Sequence, residues 1–442
     1  MSKAQTIERI IFYLALLFLP TQLGRHFWPE FSHVLGVRVD YLSPTLYLSD
    51  ILVVFLLLFS FGRKVYKKSL NFKFQFRFNR IQISNFKFAQ WLFLFFTLFL
   101  VIGILRAKNP MAGWYGLLRF FEFFFFGLYV VKQKISFAKI ALVFSFGVVF
   151  ESFLALAQYF QKGSMGGLFY FFGERAFTSQ TPGIANASIN GELMLRPYGT
   201  FPHPNVLGGY LIIAMVMVMS NVKCQMSNVK RALLFSALVV GTGALILTMS
   251  RIAILLWLAV VLFTSLKKLQ ENFKKRRGLA FLFLLPMALI FAVSFFFPLK
   301  ARLFGINLAD EPVVERIALM KTSLLMIKDH PFFGVGLNNF LVNLPSYLEK
   351  PVDIFNLQPV HNIYLLIAAE NGIPGFVFFL WFIKRTYDQI KNKKSMVHNS
   401  LFLILSLVLV LGFFDHYFLT LQQGRMLLSF ALGLCWAKSL NS

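Results

Sequence analysis

The chain has 442 residues, of which 57% are apolar and only 14% are charged. Average soluble domains contain about 25% charged residues, so this composition excludes that class and favours an integral membrane protein. The formal charge of +26 would suit nucleic-acid binding. The Lys and Arg residues, however, form short clusters between apolar stretches about as long as a bilayer is thick, and that pattern reports membrane topology.

The apolar stretches predict an all-α integral membrane protein with about twelve transmembrane helices. Each stretch can cross most of a ~30 Å hydrocarbon core as a helix, and a helix satisfies its own backbone polar groups in lipid. The predicted spans are residues 7–24, 45–62, 89–105, 114–131, 136–160, 205–220, 232–249, 252–266, 279–297, 361–383, 398–415 and 420–437.

The distribution of basic residues predicts that both termini are cytoplasmic. Residues 63–88 contain eight Lys and Arg residues and no acidic residue. With the N-terminus inside, the basic loops 221–231, 267–277 and 384–394 also lie on the cytoplasmic side. Short loops that carry such an excess of positive charge normally remain in the cytoplasm.

Two long outer loops divide the predicted spans into three blocks. Residues 1–160 carry spans one to five, residues 205–297 carry spans six to nine, and residues 361–442 carry spans ten to twelve. The outer loops, 161–204 and 298–360, are too short for confident independent domains. We expect them to cover the outer face of the membrane bundle.

The second outer loop contains the start and stop signals of a helix. Pro312 and Glu315 are typical of a first helical turn, whereas Lys328 and His330-Pro331 are typical of a helix end. The segment therefore predicts a helix that lies along the membrane surface and carries Arg316 near its beginning. Its predicted apolar stripe consists of Val313, Ile317, Met320, Leu324 and Ile327.

Four predicted outer-face segments are unusually polar for this sequence: 196–205, Ser250-Arg251, Glu315-Arg316 with 330–336, and 361–372. In this order and spacing they resemble the O-antigen ligase and polymerase family of bacterial membrane glycosyltransferases. The resemblance runs from about residue 190 to residue 425. The first five spans resemble the family only in topology.

The resemblance implies a donor and a place of action. An undecaprenyl diphosphate-linked oligosaccharide would be the donor, and a lipid-anchored molecule or another glycan would be the acceptor. Transfer would take place on the periplasmic or exterior side of the bacterial cytoplasmic membrane, in lipopolysaccharide or surface polysaccharide biosynthesis. The expected partners are therefore these substrates and membrane lipid, with no nucleic acid.

The resemblance also assigns roles that the chemistry explains. Negative charge grows on the departing diphosphate as the glycosidic bond breaks, so fixed cations stabilise the transition state more than the ground state. Arg251 and Arg316 are the candidate diphosphate-binding residues and Arg196 is a third, because a guanidinium is always charged and binds phosphate with two parallel hydrogen bonds. His361 is the candidate general base, since an imidazole can accept the proton of the acceptor hydroxyl.

Five further polar residues are possible secondary participants: Asn362, Tyr364, Asp415, His203 and Glu370. Glu151, His416 and Arg425 could line the same outward cavity as Asp415. The interpretation favours a loop-shaping role for His203 between two prolines and an architectural role for Glu370 within a span. Glycines and a proline that follow Glu370 are expected to loosen that helix. Arg119 and Glu122, one helical turn apart, are expected to neutralise each other. Among outer-loop aromatics, Tyr198, Phe201 and Tyr347 are candidates for stacking on sugars.

We expect no cofactor and no metal. The sequence contains no His-Glu-x-x-His pattern, no paired cysteines with ligand spacing and no outward Asp-x-Asp. A diphosphate also leaves without a general acid. Direct displacement by the acceptor would invert the anomeric configuration.

Two alternatives remain open. A polymerase that extends the same glycan would share the donor and the arginines, so the sequence does not separate it from a ligase. A flippase for lipid-linked oligosaccharides would be a carrier and no enzyme. Carriers of that kind usually show repeat symmetry between their halves, and we detect no such repeat in this sequence.

Overall fold

The computed structural model describes residues 3–70, 83–189, 192–220, 227–271, 311–348, 357–392, 397–437 and 440–441. It is mostly helical with few strands, which agrees with the prediction of an all-α membrane protein. Four of the described helices are long and apolar enough to cross a membrane: Pro110–Lys132, Phe137–Gln161, Asn228–Leu247 and Ile363–Lys391. Shorter apolar helices cover Trp91–Arg106, Pro204–Met219, Arg251–Ser265 and His398–Phe414. The number of twelve spans and the side of the termini stay predictions, and the predicted span 279–297 lies outside the described residues.

Fourteen α-helices follow one another in the described part of the chain. They are α1 Lys3–Leu17, α2 Leu48–Leu70, α3 Ile83–Arg106, α4 Pro110–Lys132, α5 Phe137–Gln161, α6 Pro204–Met219, α7 Asn228–Leu247, α8 Arg251–Glu271, α9 Glu311–Asp329, α10 Phe340–Asn343, α11 Ile363–Lys391, α12 His398–Phe414, α13 Tyr417–Thr420 and α14 Gln422–Trp436.

Short strands occur mainly in the predicted outer loops. Between α1 and α2, β1 (Gly24–His26) pairs with β4 (Thr45–Tyr47), and β2 (His33–Val34) pairs with β3 (Val37–Arg38), both antiparallel. In the loop 161–204, β6 (Asn186–Ile189) and β7 (Glu192–Leu195) form an antiparallel pair. Near the other ends of the helices, β5 (Ile135–Ser136) runs parallel to β8 (Leu440–Asn441).

Helix α6 is the most deeply buried helix of the bundle. Fifteen of its sixteen residues are buried, and it packs between α5, α7 and α12. Its sequence is apolar on all sides, as expected for a helix surrounded by other helices. His203 caps its N-terminus and Pro204 occupies the first helical position, where no N–H is needed. The outer end of the central helix is thus fixed by the His-Pro-Asn sequence of the first motif.

A second apolar core lies beneath the outer segments. It combines Val34, Val39 and Leu42, from the segment between α1 and α2, with side chains from α9 to α11, including Leu319 and Phe340. The segment between α1 and α2 and the loop that follows α9 are therefore packed on each other, although almost 300 residues of sequence separate them.

Helix α11 is kinked where the sequence predicts a loosened helix. Gly372 has a non-helical conformation with φ 67° and Pro374 follows it. The kink frees backbone groups, and the loop after α9 satisfies them: Val335 N donates to Ala369 O at 2.8 Å, and Ile373 N donates to Pro331 O at 2.7 Å. Irregular backbone at membrane depth is tolerated only with such protein partners.

The predicted neutralising pair within α4 is present and belongs to a larger group. Arg119 Nη1 lies 2.6 Å from Glu122 Oε2 and 3.0 Å from Asp50 Oδ2 at the start of α2. Arg119 and Asp50 both also contact the Gln422 side chain at the start of α14. Helices from the two ends of the chain are therefore joined by one buried polar group.

Helix α9 begins and ends at the predicted signals, and three of the five residues of the predicted apolar stripe lie on its exposed side. Ile317, Met320 and Leu324 are each more than 40% exposed. The buried face instead contains Leu319 and Met326, together with Thr322 and Ser323, and it packs against α11. The small hydroxyl residues allow close helix contact, so the apolar stripe remains available to lipid.

Candidate functional site

The site forms where three apolar helices meet at the ends that the sequence predicts to be outer. Asp415 terminates α12 in an extended conformation, and His416 begins the short helix α13. His361 lies two residues before α11, and His203 caps α6. A turn at the end of each helix thus carries one ionisable side chain toward the same region.

His361, Asp415 and His416 form the centre of this region. The two imidazole rings meet edge to face, with 5.0 Å between their centroids. One donor atom from each of the three side chains lies within 4.8 Å of the others. Nδ1 of His361 is buried and has no hydrogen-bond partner among the residues that the structure describes. Although the sequence has no metal-ligand spacing, the fold therefore assembles three groups that could hold a metal ion.

A chain of hydrogen bonds connects Arg196 to this centre. Arg196 Nη2 donates to Asn205 Oδ1 at 2.6 Å, and Asn205 Nδ2 donates to Asp415 Oδ2 at 3.3 Å. Arg196 Nε donates to the carbonyl oxygen of Thr248 at 2.8 Å, and its side chain is buried. Arg196 is therefore held inside the protein, where it fixes the orientation of Asn205 and Asp415.

Burial and charge determine the protonation of the centre. Burial lowers the pKa of His361, an effect that Asp415 opposes and Arg316 reinforces. Burial also lowers the pKa of His416 and that of His203, in each case to about 3. For Asp415 burial raises the pKa, but the neighbouring histidines and Arg316 lower it below its usual range. Near neutral pH the site thus holds neutral imidazoles, one carboxylate and a permanent cation.

His203 acts as a helix cap. Its Nδ1 accepts a hydrogen bond from Asn205 N at 3.1 Å, so the proton of the neutral ring resides on Nε2. This geometry agrees with the loop-shaping role expected for a histidine between two prolines. Its charge interactions with Asp415 and His361 also place it beside the centre.

The two candidate diphosphate-binding arginines come from different elements. Arg316 lies on α9, half-buried, and its charge acts on His361, His416 and Asp415. Arg251 is the first residue of α8, only three residues after Thr248, which accepts the Arg196 hydrogen bond. The sharp turn between α7 and α8 is as short as the sequence predicts.

The remaining predicted residues are architectural in this structure. Asn362 caps α11, with Oδ1 accepting from Tyr364 N at 2.9 Å and Leu365 N at 3.0 Å. Tyr364 donates its hydroxyl proton to Leu409 O of α12 at 3.0 Å. Glu370 accepts from Phe340 N at 3.2 Å and so holds α10 against α11. These contacts position His361 and the outer segments around it.

The sequence indicates His416 only as a residue that could line the outward cavity, and it indicates no role for Thr420 or Tyr41. His416 follows Asp415 directly, so a polar pair within an apolar run was the available signal. Thr420 lies one turn further, with Oγ1 2.7 Å from His416 Nδ1. Tyr41, in the segment between α1 and α2, packs edge to face against the His416 ring, with 5.4 Å between the ring centroids. No motif marks Tyr41, because the contact depends on the packing of distant segments.

The expectation that outer-loop aromatics are available to stack on sugars is wrong for two of the three residues. Tyr198 and Phe201 are only 2% and 1% exposed. The Tyr198 hydroxyl accepts from Ala185 N at 2.8 Å, which ties it to the segment before β6. Both rings are used to build the loop, whereas Tyr347 is partly exposed.

Comparison with known proteins addresses the family. Residues 236–380 match the family model described as O-antigen ligase. This segment contains Arg251, Arg316, His361, Asn362 and Tyr364, whereas Asp415 and His416 lie beyond it. No curated protein sequence matches the chain significantly. The resemblance inferred from the motifs is thereby confirmed over residues 236–380, about a third of the chain, and this segment is similar to the O-antigen ligase family.

Proposed function

We propose that this protein transfers a glycan from undecaprenyl diphosphate to an acceptor hydroxyl on the outer face of the bacterial cytoplasmic membrane. The observation that carries the proposal is the position of His361. Its buried Nδ1 has no hydrogen-bond partner among the described residues, and one of its ring nitrogens lies within 4.8 Å of an Asp415 carboxylate oxygen. The charge of Arg316 also acts on this ring. The family match over residues 236–380 supports the reaction class.

In the proposed reaction the acceptor oxygen attacks the anomeric carbon of the donor sugar. The bond from that carbon to the diphosphate oxygen breaks, and the diphosphate leaves with the electron pair. His361 accepts the proton of the acceptor hydroxyl, and the nearby carboxylate of Asp415 stabilises the imidazolium that forms. A single displacement of this kind inverts the anomeric configuration.

Arg251 and Arg316 have the role of binding the diphosphate. Both lie in the segment that matches the family, and Arg316 is electrostatically coupled to the histidine centre. Two guanidinium groups stabilise the growing negative charge without a metal ion. Arg196 has a different role in this proposal, because it is buried and donates to Thr248 and Asn205. It orients Asp415 and does not reach the donor itself.

Reconstitution in liposomes tests the proposal. The liposomes contain an undecaprenyl diphosphate-linked oligosaccharide and candidate acceptors, and a gel shift reports glycan transfer with and without chelator. We expect transfer that resists chelator and falls about 10²- to 10⁴-fold in His361→Ala, the range for loss of a general base. Transfer should also fall in Arg251→Ala and recover only in part in Arg251→Lys, which restores charge without the two-pronged geometry.

Two outcomes separate the alternatives. The acceptor that shifts on the gel distinguishes a ligase, with a lipid-anchored acceptor, from a polymerase that extends the same glycan. If the lipid-linked donor crosses the bilayer and no glycosidic bond forms, the protein is a carrier and the proposal fails. An unchanged transfer rate in His361→Ala would remove the assigned base.

A further inference from the structure

The centre of the site has the donor set of a metal site. His361 and His416 each offer an imidazole nitrogen and Asp415 offers a carboxylate oxygen, all within 4.8 Å of one another. Two imidazoles with one carboxylate form a common ligand set for zinc and similar divalent ions. Zinc bonds of ~2.0–2.2 Å place tetrahedral donors roughly 3.4 Å apart. Modest rotations of these side chains would therefore bring the donors to bonding distance.

Thr420 can hold the His416 ring in the tautomer that binds metal. Thr420 Oγ1 donates its hydrogen to the carbonyl oxygen of His416 at 3.2 Å. The same hydroxyl oxygen lies 2.7 Å from His416 Nδ1. When the hydroxyl donates to the carbonyl, its oxygen accepts from Nδ1–H of the ring, and Nε2 then keeps its lone pair for an ion. A hydrogen bond that sets the tautomer in this way is typical of metal-binding histidines.

The other two metal-ligand groups, His361 and Asp415, are also suited to binding an ion. Nδ1 of His361 is buried without a hydrogen-bond partner among the described residues. Buried polar atoms normally have a partner, so this nitrogen is a candidate to bind a ligand. Asp415 Oδ1 accepts from the backbone N of His416 at 2.8 Å and Oδ2 accepts from Asn205, so its carboxylate is held in place. A bound ion would provide the missing partner of His361 Nδ1.

We infer that His361, Asp415 and His416 bind a divalent transition-metal ion of the zinc class, and that a bound ion inhibits glycan transfer. The inhibition rests on the proposed function, because the ion would occupy the nitrogen that accepts the acceptor proton. Metal binding itself does not rest on it. Arg316 acts on the same centre and its positive charge opposes a cation, so the affinity should rise when that charge is removed.

Cobalt(II) titration of the purified full-length protein in detergent tests the binding. The visible d–d absorption of bound Co²⁺ reports coordination without any activity assay. We expect one saturable site in the wild-type protein, lost in His361→Ala and in His416→Gln. Thr420→Val should weaken binding about 10-fold by releasing the second-shell hydrogen bond, and Arg316→Gln should strengthen it. His398→Gln is the matched control, because His398 lies at the start of α12, at the opposite end from the site.

The results distinguish the two parts of the inference. No visible Co²⁺ band, or a band unchanged in both His361→Ala and His416→Gln, overturns the metal site. Thermal unfolding of each variant verifies that loss of the band is not loss of the fold. If Co²⁺ binds but Zn²⁺ leaves the transfer rate of the wild type unchanged, the inhibitory role is wrong. If no transfer occurs under any condition while the band persists, the proposed function fails and the metal site stands.

Discussion

The Asn362 side chain has two roles: it caps α11, and it links α11 to α12. Its Oδ1 accepts from two backbone N–H groups of α11, and its Nδ2 donates to Phe413 O near the end of α12 at 3.1 Å. Phe413 lies two residues before Asp415, and Asn362 directly follows His361. The amide therefore fixes the position of the candidate base relative to the carboxylate beside it.

Replacing Asn362 tests this positioning. Asn362→Ala loses the cap and should lower the free energy of unfolding by about 1 kcal/mol. Asn362→Asp keeps the capping oxygen and adds a favourable negative charge at the helix N-terminus, but it loses the donor to Phe413. We expect near wild-type thermal stability and a reduced transfer rate for Asn362→Asp. Full transfer by this variant would show that the link to α12 is dispensable.

Single residues of the site were predictable where a motif surrounds them. Arg251, Arg316 and His361 are candidates from the sequence because polar motifs are rare in so apolar a chain, and their binding and catalytic roles stay predictions. The sequence indicates only that His416 could line the outward cavity, and it indicates no role for Thr420. Oγ1 of Thr420 lies 2.7 Å from Nδ1 of His416 across one helical turn, and this contact leaves no trace in composition.

At the scale of an element, the kink of α11 is the feature that lets the loop after α9 pack against this helix. A Cβ on Gly372 would lie 2.2 Å from Phe332 O, and the φ of 67° is unfavourable for other residues. The loop after α9 also approaches closely, since a Cβ on Gly334 would lie 2.4 Å from Ala369 O. The close approach allows the backbone hydrogen bonds between Pro331, Val335 and α11 to form.

Gly372→Ala should therefore destabilise the protein by more than ~1 kcal/mol, the usual limit for a harmless glycine replacement. The measurement is the midpoint of thermal unfolding in detergent. Gly243→Ala is the matched control, because Gly243 lies within α7 with open space around its Cβ position. That control should be neutral or stabilising by up to ~1 kcal/mol. Equal effects of the two variants would contradict the importance of the kink.

The elements themselves were partly predictable. The limits of α9 follow from proline, acidic and basic signals, and the kink of α11 follows from Gly372 and Pro374. The paired strands of the outer loops were missed, because strands of two to four residues are too short for an alternating pattern to appear. The buried face of α9 was also missed, because Thr322 and Ser323 bury without apolar character.

For the whole molecule, the polar group around Arg119 joins the two ends of the sequence. Asp50 and Gln422 are separated by 372 residues and contact each other directly. The sequence indicates only the local pair of Arg119 with Glu122, since nothing near Arg119 in the sequence points to a partner so far along the chain. Tertiary packing alone brings α2, α4 and α14 together.

Removing the cation of this group should be costly. Arg119→Met leaves two carboxylates buried side by side, and loss of one partner from a buried ion pair typically costs ~3–5 kcal/mol. The triple variant Arg119→Met with Asp50→Leu and Glu122→Leu removes all the charges and should recover much of that loss. Unfolding in detergent measures both variants. If Arg119→Met were as stable as the triple variant, burial of the Asp50 and Glu122 carboxylates would not require Arg119.

The backbone bonds between the loop 331–336 and the kink of α11 have a consequence for chimaeras. Ala369, Glu370 and Ile373 use their main-chain groups to receive that loop, so the fit depends on two separate stretches of sequence at once. A segment exchanged between homologous proteins to alter acceptor choice would have to carry residues 331–336 and 369–373 as a pair. Grafting either stretch alone would leave main-chain groups without partners at membrane depth, where no water can replace them.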